Sequence, residues 1–214
     1  NTKVEEQPPL PIENNVLKTF SIENEPVVEL VNNREREYIF ADLPDIGYST
    51  DIDTVMASSY QVKKQLQQIV KIEQPITNTL LYKRILRIWN LTRVTTRLQV
   101  FIDNLLEDAY KDPLSGDTII YWEDEEKAKD CDFYRINSKR DILDIPILEV
   151  MSAARYAIEQ QISMPTEDLK RLTSQLLGFS RKGNNLDMVT EQTIQLLVDQ
   201  GIFSHANGMV SMNN

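Results

Sequence analysis

Side chains suited to a phosphate backbone are concentrated in one stretch of this 214-residue chain. Thr92, Arg93, Thr95, Thr96, Arg97 and Gln99 follow one another where a helical pattern begins, and Lys83, Arg84 and Arg87 recur on one side of the preceding helical run. Arginines and hydroxyls at a helix start suit phosphate, because unpaired backbone amides and the helix dipole add to the side-chain donors. A second such place is Ser180-Arg181-Lys182-Gly183-Asn184-Asn185. There Gly183 permits a positive φ or a close backbone approach, and Asn184 or Asn185 is suited to cap the helix that follows. A structural reading stands beside each: a solvated basic face in the first stretch, an ordinary capped turn in the second. Arg93 and Arg181 hold equivalent places, so bonding helix carbonyls is a shared role open to both.

Other chemistry has little to build on. His205 is the only histidine, so it has no second imidazole for a metal site and no visible triad. Cys131 is the only cysteine, which excludes an intrachain disulfide and a four-thiolate zinc site. Its acidic neighbours disfavour a thiolate. No carboxylates form a spaced, apolar-flanked pair for acid–base work. Glu123-Asp124-Glu125-Glu126 reads as a solvated loop, with a patch for a basic partner as the alternative. Neither GxxxxGK[ST] nor GxGxxG occurs. The expectation is a chain with no catalytic residues, no metal, no cofactor and no small-molecule substrate.

Composition narrows the class further. With 41% hydrophobic and 26% charged residues the chain is globular in character. Its net charge of −10 is unevenly spread: residues 1–55 carry 4 bases against 12 acids, 56–112 carry 9 against 5, 113–145 carry 5 against 9, and 146–214 carry 5 against 7. Only the block holding the first arginine cluster is positive, so any nucleic-acid contact belongs there. No apolar run approaches the roughly 18 residues of a membrane span and no signal peptide opens the chain, so a cytoplasmic setting without membrane partners is expected. The first residue is Asn rather than Met, which reads as a segment of a longer protein.

The elements that must position these residues follow from periodicity. Residues 1–54, with Pro8-Pro9-Leu10-Pro11, read as an acidic extended strap, and Tyr38 to Pro44 as an edge strand or docking segment leaning on the first domain. From about Val55 one helix carries Val62, Leu66, Ile69 and Val70 on a face and ends at Glu73-Gln74-Pro75. Thr77 caps a second helix with Leu81, Ile85, Ile88 and Trp89 inward, and a third runs from about Thr95 through Leu98, Ile102 and Leu106. Thr118–Trp122 and Phe133–Ile136 are expected to pair as a hairpin across a non-helical loop, Glu123–Asp132. A shift of 88 residues lays this apolar pattern on the second half, Val62 on Val150, Leu81 on Leu169 and Leu98 on Leu186. That half also closes on a hairpin signal, Asn207-Gly208. Trp89 and Trp122 are both expected in the core.

Three helices and a hairpin, twice, predict a mainly α fold of two tandem winged-helix-like units, residues 55–140 and 141–214, in which third helices can enter a major groove. Gln74-Pro75-Ile76, Leu80 to Ile85, Trp89 to Arg93, Arg140 to Pro146 and Leu176 to Arg181 together resemble an uncharacterised domain family. That family lies at or near the C-terminus of large bacterial proteins with superfamily I DNA/RNA helicase-like ATPase domains. The resemblance implies an accessory module whose partners are upstream helicase-like domains of the same polypeptide, with the nucleotide-binding motifs outside this chain. The leading expectation is DNA engagement through Lys83, Arg84, Arg87, Arg93 and Arg97, with Thr95, Thr96 and Gln99 beside them and Arg181 and Lys182 secondary. The rival expectation is a protein-interaction module that docks other domains without touching nucleic acid.

Overall fold

Hydrophobic spacing and capping residues decide where the helices lie in the computed structural model, which describes residues 32–115 and 118–213. The proline-rich, acidic start of the expected strap, residues 1–31, lies outside the described residues. The remainder of the strap opens with β1 (Glu35–Glu37). The first helix begins earlier than its apolar pattern suggests, because Asp51 Oδ1 accepts from Thr54 N at 2.8 Å and starts α1 (Ile52–Ala57). After Ser58 the chain continues as α2 (Ser59–Glu73), with Val62, Leu66, Ile69 and Val70 buried.

Beyond the cis Gln74–Pro75 bond come β2 (Ile76–Thr77) and α3 (Asn78–Ile88), and Thr77 caps α3 through Leu80 N at 3.3 Å. In the same way Thr95 caps α4 (Thr96–Leu105) through Leu98 N at 3.2 Å. Two short strands follow, β3 (Tyr110–Lys111) and β4 (Ile120–Trp122). Trp89 and Trp122 are both buried, and their indoles donate to Gln65 at 2.8 Å and Asp112 at 3.1 Å.

The expected pairing of Thr118–Trp122 with Phe133–Ile136 does not occur. β4 has both edges taken, antiparallel to β2 through Ile76↔Tyr121 and to β3 through Tyr110↔Trp122. No edge is left for β5 (Tyr134–Ile136), which instead pairs parallel with β1, Glu35 opposite Tyr134. The loop between the two runs is not wholly irregular either. Glu125 and Glu126 sit in the first turn and Lys127 and Lys129 in the last turn of α5 (Glu125–Lys129), the order that a helix dipole favours, with Asp124 capping through Lys127 N at 2.9 Å.

The second half is built from α6 (Ile147–Glu159), β6 (Ser163–Pro165), α7 (Thr166–Leu176), α8 (Asn184–Asp199), β7 (Phe203–Ala206) and β8 (Met209–Met212). Its sheet order, β6-β8-β7, matches β2-β4-β3 in the first half. The helices α3 and α7 begin 88 residues apart, as do α4 and α8. β7 and β8 turn at Asn207 (φ 52°) and Gly208 (φ 73°), the positive pair a two-residue hairpin requires. The molecule is therefore mainly helical with small sheets.

Candidate nucleic-acid interface

The helix expected to present the cluster is held by its far end. Asp103 on α4 accepts from Tyr82 of α3 at 2.7 and 2.8 Å and from Tyr121 of β4 at 3.2 Å, which fixes α4 against both elements. Burial, and then the Asp103 carboxylate, hold both phenols protonated well above the usual tyrosine range. The inward face of α4 is Leu98 and Ile102, so Thr96, Arg97 and Val100 stay exposed at its start, with Gln99 half-buried.

The basic residues meet different fates. Arg93 is exposed, in the turn between α3 and α4, with no ion-pair partner among the described residues. Arg97 is exposed but pairs with Asp53 of α1 at 2.8 Å. Thr95 is occupied as the cap. Lys83 reaches across to Asp144, its Nζ 2.7 and 2.6 Å from the two carboxylate oxygens, with more than half of its side chain still in solvent. Arg87 is exposed, 5.9 Å from the ring of Phe40.

Arg84 is a correction: it does not line the exposed side of α3. Only 5% of it reaches solvent, and its guanidinium lies 2.9 Å from Glu73, donates to the Ala41 carbonyl and covers the Phe40 ring at 3.5 Å. A spacing of one residue separates Lys83 from Arg84, about 100° around a helix, which is enough to put one in water and the other in the core.

Arg181 and Lys182 are exposed in the segment before α8 and border a cleft of about 190 Å³ between α7 and α8. Neither Asn184 nor Asn185 caps α8; Gly183 is the cap residue, in extended conformation and without a side-chain bond. The cleft is not purely basic. Lys170 sits in it with Asp187 at 2.6 Å, Glu191 at 2.9 Å and Glu167 at 3.3 Å. Burial alone would lower that lysine's pKa, yet the three carboxylates hold it above the ordinary range. The helix α8 itself carries no Lys or Arg.

The sequence reading missed a buried ionic core. Glu149, in the first turn of α6, has no exposed surface and receives Arg140 at 2.7 and 2.8 Å and Arg135 at 2.5 Å. Burial pushes its carboxyl up, but the Arg135 and Arg140 charges and bonds prevail and hold it down at about 2. Arg135 also donates to the carbonyls of Glu73, Gln74 and Pro75 at the end of α2. Tyr38 completes the link: its ring lies 4.3 Å from the Arg140 guanidinium and 4.8 Å from that of Arg135, and its hydroxyl donates to Glu73. The only available signal was Arg135 set between Tyr134 and Ile136 in an apolar run.

His205 is exposed and its Nε2 lies 3.1 Å from the Thr166 hydroxyl. Cys131 is pushed up to about 12, first by burial and then by Glu149, so its thiolate is suppressed more by its packing than by the neighbouring acids of the sequence. Among the described residues no group of His, Cys, Asp and Glu is placed to hold a metal ion, and no helix is long and apolar enough to cross a membrane.

No curated protein and no solved structure matches the chain. Residues 57–100, which hold α2, α3, the Arg93 turn and the first half of α4, match a family described as a protein of unknown function, DUF3320.

Proposed function

We propose that the chain is a non-catalytic accessory module of two tandem winged-helix units, the first of which engages DNA through its phosphate backbone. The observation that carries this reading is the exposed start of α4, with Arg93 unpaired among the described residues and Thr96 and Arg97 beside it, on an element order of helix, strand, helix, helix, strand, strand. In that order the third helix is the one that enters a groove, and its N-terminal residues meet bases and phosphates. The recurrence of the same order and sheet arrangement 88 residues later supports a duplication. In the setting the sequence resemblance implies, this module would serve the upstream domains of a helicase-like polypeptide.

The phosphate contacts are Arg87, Arg93 and Arg97, with Lys83 shared between DNA and Asp144. Arg84 takes no part. The second unit has a different task, favoured by one observation: α8 lacks any base and exposes Asp187, Glu191 and Asp199. It suits a protein partner, with the neighbouring domains of the same polypeptide the natural choice.

Fluorescence anisotropy of the full chain with short duplex and single-stranded DNA, titrated from low to near-physiological salt, tests the reading. Two to four neutralised phosphates give a log–log slope between about −2 and −4 for a duplex. Arg93→Ala should weaken binding uniformly across sequences. Absence of binding at low salt overturns the DNA reading and leaves the docking one.

A further inference from the structure

The strap that follows β1 runs along α3 toward the Arg93 turn. Three contacts fix its course: Arg84 donates to the Ala41 carbonyl, Ile46 N donates to the Ile88 carbonyl at 3.0 Å, and the Thr50 hydroxyl donates to the Trp89 carbonyl. Ala41, Tyr38, Leu43 and Ile46 pack inward against the first core. Two aromatic residues of the strap do not. Phe40 is 48% exposed and Tyr48 63% exposed, an unusual outlay of large apolar surface on a short segment.

Phe40 lies against basic residues of α3, and Tyr48 sits on the stretch of strap bonded to the end of that helix. Phe40 has Arg84 against its ring at 3.5 Å and Arg87 at 5.9 Å. Tyr48 lies between Ile46 and Thr50, the residues bonded to Ile88 and Trp89, directly before the turn that ends at Arg93. Exposed aromatic rings together with exposed guanidinium groups suit single strands, because bases stack on the rings and phosphates meet the cations. A duplex offers no free base faces to such rings.

We propose that single-stranded DNA tracks the seam between the strap and α3, its bases stacked on Phe40 and Tyr48 and its phosphates on Arg87 and Arg93. The proposal rests on the DNA reading above and adds a single-strand track beside the duplex contact of α4. Acidic residues on the strap do not close the seam. Asp45 accepts from Gly47 N at 2.8 Å, Asp51 caps α1, and Asp53 pairs with Arg97. Asp42 is the exposed strap carboxylate without an internal partner among the described residues, and it sits two residues from Phe40.

The test uses the full chain with a fluorescent oligothymidine and a blunt duplex of equal length. Tyr48→Leu and Phe40→Leu keep apolar bulk but remove the stacking face, so each should weaken oligothymidine binding about tenfold and leave the duplex within about twofold. Phe40→Trp should retain oligothymidine binding, and Asp42→Asn should tighten it. Because Tyr48 is mostly in solvent, its variant decides the matter should Phe40→Leu unsettle the Arg84 contact. Oligothymidine affinity unchanged in Tyr48→Leu, with Arg93→Ala still weakening it, overturns the seam and spares the DNA reading. Failure of both oligonucleotides to bind overturns both.

Discussion

Arg140 meets Glu149 through two parallel bonds, Nη1 to Oε1 at 2.7 Å and Nη2 to Oε2 at 2.8 Å, with both side chains buried. Arg135 approaches the same carboxylate from the middle of β5, and its Nη1 and Nη2 also donate to the carbonyls that close α2. The position of Glu149 in the first turn of α6 adds the favourable end of the helix dipole. One carboxylate therefore ties the beginning of the second half to the end of α2. Tyr38 extends the tie to the strap.

Glu149→Gln should leave two buried guanidiniums without their counter-charge. The expected loss is about 3 to 5 kcal/mol, or roughly 10 °C in Tm for a protein of this size. Glu159→Gln on the same helix is the control, because Glu159 pairs with Arg34 at 2.9 Å while about a third of its side chain is in solvent; its loss should stay below about 1 kcal/mol. Urea denaturation of both variants checks the difference. Equal, small losses would show that the buried carboxylate is not holding the fold.

The same group sets an acid limit. Glu149 sits at about 2 in the folded protein against an ordinary 4.5, so folding is linked to its remaining ionised. A depressed carboxyl contributes its stability fully above the ordinary value and loses it as the pH falls toward the folded one. The contribution is of order 3 kcal/mol, lost between about pH 5 and pH 2. Urea midpoints across that window should fall in the parent protein and change less in Glu149→Gln.

The starts of α3 and α4 were legible because each left two independent marks, an apolar stripe and a cap: Thr77 before α3 and Thr95 before α4 both cap where hydroxyl and periodicity coincide. Strand partners were not. Thr118–Trp122 and Phe133–Ile136 are both apolar runs at hairpin distance, and nothing local says that Tyr110–Lys111 and Ile76–Thr77 occupy both edges of the first while Glu35–Glu37 claims the second. Pairing is a non-local choice, made by which chain segments the packed helices bring alongside. The candidate interface divides in the same way. That Arg93 and Thr96 begin a helix is local information, whereas the burial of Arg84 depends on Glu73 and Phe40, which are distant in sequence.

The second hairpin shows the local case. Asn207 and Gly208 both adopt positive φ, and nothing lies within 4 Å of where a Gly208 Cβ would be, so backbone conformation alone makes Gly208→Ala unfavourable. The expected cost is about 1 kcal/mol, read as a lowered urea midpoint with unchanged slope. Unchanged stability would show that the turn is free to change type.

Arg97 and Asp53 are 2.8 Å apart with more than half of each side chain in solvent, a pairing that contributes little to stability but sets how much positive charge α4 offers. Asp53→Asn should keep stability within about 0.5 kcal/mol. It should also tighten duplex binding a few-fold, because Arg97 is released and a charge that repels phosphate is removed. Arg97→Ala should weaken binding, and combining it with Asp53→Asn should recover only the part owed to lost repulsion. A comparably exposed pair in the second half, Arg171 with Asp168 at 3.0 Å, provides the contrast. Asp168→Asn should leave DNA affinity unchanged, since the neighbouring α8 presents carboxylates and no base. Salt-titrated anisotropy on the four variants distinguishes a contact confined to the first half from a diffuse response to net charge: equal tightening by Asp53→Asn and Asp168→Asn would mean the latter.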